Sequence, residues 1–153
     1  MLNDLVAQLG KAMGMDELRL DEDGFCTIGF DEAAEVTIHC NADMGTAVLS
    51  AEIGRVAEDY EPELCRAMLE ANYAWGQTGG IGTLCLEPQA DGAPEEPVTA
   101  SVMHQTPVRS LDEASFQAVF DRFLQVAETW SEFLEESQLA AAAATVDDAT
   151  PME

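Results

Sequence analysis

A chain of 153 residues, 47% of them hydrophobic, is long enough for one domain with an ordinary core. Thirty acidic residues against six basic ones give a formal charge of −24, which leaves no basic patch for the phosphate contacts that nucleic-acid binding mostly rests on and repels anionic membrane surfaces. No apolar run approaches the ~20 residues of a membrane span, and the opening MLND lacks the basic cap and apolar block of a signal peptide, so the expectation is a cytoplasmic protein without membrane insertion.

Leu2, Leu5, Val6, Leu9 and Met13 recur at helical spacing with Asp4, Gln8 and Lys11 opposite, which predicts an amphipathic first helix closed by Gly14 in a left-handed cap, with Met15 folding back. In LRLDEDGFCTIGF, Asp23-Gly24 between two apolar runs signals a tight hairpin. Asp21 and Asp23 do not begin a calcium loop, because Phe30 stands where the bidentate glutamate is needed. Residues 35–41 alternate, with Val36, Ile38 and Cys40 on one face and Thr37 and His39 on the other. Residues 46–53 alternate again, with Ala47, Leu49, Ala51 and Ile53 together. These segments read as an antiparallel meander.

Residues 61–75 (EPELCRAMLEANYAW) predict a second helix, with proline and two glutamates in its first turn and Gly76 at its end. Leu64, Met68, Ala71 and Trp75 fall on one line, Cys65, Leu69 and Asn72 extend that side, and Ala67 and Ala74 widen it. The apolar arc spans roughly 220°, about twice the stripe that an ordinary surface helix needs. One sheet cannot cover it, so a second copy of the chain is expected to cover the other half. Residues 81–87 and 98–106 predict a strand pair around the Pro-, Gly- and acid-rich stretch at 88–97, expected to be a mobile excursion. Ser110 and Glu113 form a capping box for a last helix, whose apolar side holds Phe116, Val119, Phe120, Phe123, Val126, Ala127, Trp130, Phe133 and Leu134. From residue 138 the aromatics and the periodicity stop. The division expected is an α+β domain at 1–137, built from one mainly antiparallel sheet of about five strands and three helices, followed by a disordered acidic and alanine-rich tail at 138–153.

No phosphate-cradling glycine loop, nucleophile elbow or H-E-x-x-H motif is present. Cys26, Cys40, Cys65 and Cys85 contain no C-x-x-C pair and read as reduced core thiols, so no catalytic residue, metal or cofactor is expected. The order helix, meander, helix, strand pair, long helix resembles the class I type III secretion chaperones, the Tir-chaperone family. LNDLVAQLGKAMGM is similar to that family's first helix, LRLDEDGFCTIGF to its first hairpin, AVLSAEIG to the strand before its second helix, and RAMLEANYAW to its leucine-leucine-x-alanine-asparagine segment. The resemblance implies a homodimeric, non-enzymatic escort that binds an extended N-terminal segment of a secreted effector and keeps it export-competent without ATP. It implies a dimer contact at Leu64, Met68, Ala71, Asn72 and Trp75. It also implies effector pockets from the first helix and the strands, with Phe25, Ile28, Phe30, Val36, Ile38, Val48, Val102 and Met103 as candidates, each of which would otherwise be core. Two other readings stay open: a module of the same fold serving a regulatory or immunity-like partner, and a small thiol enzyme.

Overall fold

The computed structural model describes residues 1–29, 35–89 and 97–149, with side chains as far as residue 144. Helix α1 (Leu2–Ala12) precedes strands β1 (Phe25–Ile28), β2 (Val36–Asn41) and β3 (Thr46–Val56), followed by α2 (Glu61–Asn72), β4 (Thr83–Leu86), β5 (Val98–Pro107) and α3 (Glu113–Ala149). The five strands form one antiparallel sheet in the order β1-β2-β3-β5-β4. The α+β class and the element order therefore match the expectation from sequence.

One face of the sheet carries the core. Ile28, Val36, Ile38, Leu49, Leu84, Ala100 and Val102 point into it and are buried, as strand alternation requires of residues spaced two apart. Helix α3 lies against it with Phe116, Phe120, Phe123, Ala127, Trp130 and Leu134, spaced alternately four and three apart along one stripe and all buried. Each such aromatic contributes on the order of 2 to 3 kcal/mol, which makes α3 the principal clamp on the sheet. Buried Leu2, Leu5, Val6 and Leu9 bring α1 into the same core. Gly10 gives α1 close passage, because a Cβ there would collide with the Met15 carbonyl and the Leu18 side chain. Gly14 closes the helix at φ 79°, and the Met15 N–H returns to the Gly10 carbonyl at 2.7 Å.

Four local expectations change. The stretch before Gly24 is a turn and not a strand, because Asp21 spends its groups within the turn: its N–H donates to the Phe25 carbonyl at 2.8 Å, its Oδ1 accepts from the Phe25 and Asp23 N–H groups, both at 2.9 Å, and its carbonyl accepts from the Gly24 N–H at 3.1 Å. Strand β3 runs on to Val56 through a bulge between Glu52 and Gly54, which shifts its alternation so that Ile53 and Val56 both face inward. The capping box of α3 sits two residues later than Ser110 and Glu113. The Asp112 carboxylate accepts from the Ser115 N–H at 2.8 Å and the Ser115 hydroxyl accepts from the Asp112 N–H at 2.9 Å, while Ser110 bonds the Pro107 carbonyl in the preceding turn. Helix α3 also continues to Ala149 instead of ending near residue 137. Alanine has the highest helix propensity, so a run of alanines needs no aromatic periodicity to extend a helix.

Side chains close the sheet where strands leave backbone groups unpaired. At β1, the Cys40 N–H bonds the Gly24 carbonyl at 2.8 Å. Antiparallel alternation then turns the backbone groups of Phe25 away from β2, where Asp21 takes them. At the opposite edge, Asn72 at the end of α2 donates to the Leu84 carbonyl and accepts from the Leu84 N–H, both at 3.0 Å. Beyond the end of β2, Gln138 of α3 accepts from the Ala57 N–H at 2.6 Å and donates to the Arg55 carbonyl at 3.1 Å. Removing one of these partners strands backbone groups. Asn72→Ala should lower the unfolding free energy by about 2 to 3 kcal/mol, because the Leu84 groups are partly buried, and Gln138→Ala by about 1 kcal/mol at its wetter site. Urea unfolding of both variants measures the difference, and truncation at residue 137 should lose stability comparable to Gln138→Ala.

Candidate protein-binding surfaces

Among the described residues, the other face of the sheet carries no helical layer of the kind that covers the core. Its outward side chains come in rows set by the register. Phe25, His39, Val48 and Gln105 form one row, and Thr27, Thr37, Ser50, Met103 and Thr83 the next. Phe25 and Met103 are each 43% exposed, and Val48 is half-buried between neighbours. Phe25 stacks on His39 with ring centroids 4.1 Å apart and planes 12° off parallel. Such an apolar step on an otherwise hydroxyl-rich sheet offers contact area to an added side chain. A cleft of about 620 Å³ adjoins these rows, lined by Glu35, Glu52, Glu87, Ser101 and Met103 among others and by no lysine or arginine. The Ser101 hydroxyl donates to Glu87 at 2.7 Å, which buries Ser101 on the outward face.

The candidate strand residues thus divide. Phe25, Val48 and Met103 lie on the outward face. Ile28, Val36, Ile38 and Val102 lie in the core, at most 2% exposed. Phe30 lies outside the described residues.

The second surface is the outer side of α2. Leu64, Met68 and Ala71 point into the protomer's own core and are buried there. Asn72 is engaged with β4, as described above. The helix stops at Asn72 and not at Trp75, because the chain turns toward β4 once the Asn72 amide is committed to Leu84. Tyr73 is extended (ψ 122°), and Ala74 and Trp75 both take left-handed backbone at φ 52° and 57°. Each left-handed non-glycine residue costs on the order of 1 kcal/mol or more. Leu69, Tyr73 and Trp75 are left 71%, 82% and 62% exposed. A leucine and two aromatics close together in the chain and this accessible are unusual unless something covers them. Tyr73 follows Leu69 by four residues and so shares its side of α2, away from Leu64, Met68 and Ala71, while the break after Asn72 takes Trp75 off their line. Sequence alone held no signal for that break beyond the nearby Gly76.

Chemistry of other kinds has little support in these side chains. Burial pushes the Cys26 and Cys85 thiols above their ordinary value, with the negative charges of Asp21 and Glu87 adding to it, so both stay protonated and weakly nucleophilic. Burial pushes His104 down toward its neutral form. Among the described residues no group of three His, Cys, Asp or Glu side chains could hold a metal ion, and no helix is long and apolar enough to cross a membrane.

Several solved structures share this architecture. A chain of the ExsC–ExsE complex superimposes with a TM-score of 0.67 at 22% identity, over 87% of this chain and 92% of that one. A chain of the HopA1–SchA chaperone–effector complex gives 0.64 at 15%, over 86% and 93%. A chain of the heterodimeric ExoU–SpcU complex from the type III secretion system of Pseudomonas aeruginosa gives 0.61 at 18%, over 89% and 99%. At these identities the likeness establishes the fold. No curated protein matches the sequence significantly. The model of the Tir chaperone protein (CesT) family, however, matches residues 4–131, from α1 into the middle of α3, and with five-sixths of the sequence matched in that order the chain belongs to the Tir chaperone protein family.

Proposed function

We propose that the protein is a homodimeric type III secretion chaperone that binds an extended N-terminal segment of a cognate effector in the cytoplasm and keeps it soluble and export-competent without ATP. The observation that carries this reading is a sheet face left without a helical layer, with Phe25, Val48 and Met103 on it, in a chain of this family. The chaperone–effector complexes among its structural neighbours support it. An extended polypeptide presents alternate side chains at the same spacing as the strands beneath it, so it can set its residues between those rows without a preformed deep pocket. Nothing in that act of holding needs a nucleophile or a nucleotide.

The dimer contact is assigned to the outer side of α2. Leu64, Met68, Ala71 and Asn72 build the rigid base of that helix, and Leu69, Tyr73 and Trp75 are the side chains free to enter a partner. Self-association across a two-fold axis would cover the same three residues on both copies. High like charge opposes but does not forbid this, because α2's outer side itself carries the ion pair Arg66–Glu70 at 3.0 Å beside the apolar residues.

Two outcomes are expected. Leu69→Asp combined with Trp75→Asp should halve the mass found by light scattering while leaving the thermal melt within a few degrees, since exposed substitutions cost the protomer little. A dimer that survives both changes refutes the assignment. Met68→Asp is unsuited to this purpose, because a carboxylate at a position 4% exposed costs several kcal/mol and unfolds the protomer itself. Val48→Asp combined with Phe25→Asp should keep the dimer and lose the polypeptide that the wild-type protein retains in a pull-down from its native cells. Undiminished retention by this variant would move the client off the sheet.

A further inference from the structure

The outer side of α2 carries a pattern of charge among its apolar residues. Pro62, Arg66, Leu69 and Tyr73, four, three and four residues apart, run along it with Glu70 beside them, and all five are exposed. The stripe lies opposite the buried line of Leu64, Met68 and Ala71 and extends about 16 Å along the helix. Arg66 is the only cation of the helix and stands within the stripe, between Pro62 and Leu69. Its ion pair with Glu70 spans 3.0 Å, with the two side chains 83% and 68% exposed. An i,i+4 pair on a helix surface is ordinarily a minor aid to that helix. This one runs in the less favourable order. A helix prefers the acid before the base and prefers cations near its C-terminus, yet Arg66 precedes Glu70 and Glu70 sits in the last turn.

We propose that α2 packs antiparallel on α2 of a second copy and that the ion pair exchanges across the two-fold axis, so that each Arg66 meets the partner's Glu70. The inference rests on the dimer contact assigned above and adds its direction and the charges that select it. Facing residues of antiparallel helices have numbers of nearly constant sum. Setting Arg66 against the partner's Glu70 brings Leu69 to the partner's Leu69 and Tyr73 to the partner's Pro62, so one register serves the whole stripe. The stripe is then its own complement, as a two-fold contact requires. Covering Leu69 and Tyr73 also takes Arg66 out of water, and a guanidinium so placed needs carboxylates at hand. Its own Glu70 supplies one and the partner's Glu70 a second. The antiparallel neighbour brings the N-terminal half of its helix beside Glu70, where a carboxylate is favoured, which offsets the poor order within a single helix. Parallel packing would set Arg66 against the partner's Arg66 and Glu70 against the partner's Glu70, and like charges would oppose it.

The test is sedimentation velocity on the full-length protein and its variants, with native mass spectrometry of their mixtures. R66E and E70R should each weaken self-association by about tenfold or more, since each turns two attractive contacts into repulsive ones. Mixed together, R66E and E70R should form the heterodimer in preference to either homodimer, because both exchanged pairs are then restored. R19E, which makes the same change of charge at an exposed position outside α2, should dimerise like the wild type. Equal weakening by R19E and R66E would show net repulsion alone and overturn the inference. Undiminished dimers of R66E and E70R would overturn it too, as would a mixture of the two that forms no heterodimer. In those cases the contact on α2 still stands if Leu69→Asp breaks the dimer, and falls if it does not. A monomeric wild-type protein overturns the inference and the contact together.

Discussion

A five-stranded antiparallel sheet with helices on one side has two liabilities, its edges and its open face, and this protein treats them oppositely. The edges are engaged by side chains that imitate a neighbouring strand. Asp21 occupies both backbone groups of Phe25, Asn72 occupies both of Leu84, and Gln138 bridges Arg55 and Ala57 where β3 outruns β2. Each brings polar atoms to groups that would otherwise be stranded or left to pair with another chain. The face stays open. Everything assigned to function in this chain lies on that face or on the outer side of α2, and both keep their shape because α3 holds the inner side of the sheet through its stripe of buried aromatics.

The fold was legible in sequence wherever periodicity was long. Helices α1 and α3 and the alternating strands β2 and β3 follow from their repeat of apolar residues. What escaped was set by single polar side chains acting across the fold. Nothing near Asn72 announces that its amide will meet Leu84, twelve residues on, and it is this contact that goes with the end of α2 before Trp75. Gln138 stands in an alanine-rich stretch whose composition suggests disorder, yet it reaches 81 residues back to Ala57. The same limit applies to the strand candidates. Alternation says that Val36 and Val48 face opposite ways, but only the packing of α1 and α3 decides that Val36 is core and Val48 is surface.

The apolar breadth of α2 has a related explanation. An arc of roughly 220° reads in sequence as one continuous surface. In the fold it separates into two parts with different work. Leu64, Met68 and Ala71 anchor the helix to its own chain, while Leu69, Tyr73 and Trp75 face away from it. The left-handed residues Ala74 and Trp75 take the second aromatic off the line of Leu64, Met68 and Ala71 and leave it exposed, at a local backbone cost.

The engaged edges have a bearing on how such a protein can be stored in a crowded cell. Strands β1 and β4 have four residues each, so alternation gives each only two residues whose amides face outward, and one of the two is already taken by Asp21 or Asn72. A stray strand arriving at either border finds no run of consecutive partners long enough to zip onto. A molecule proposed to hold extended polypeptide can thus accumulate without growing into ribbons of itself.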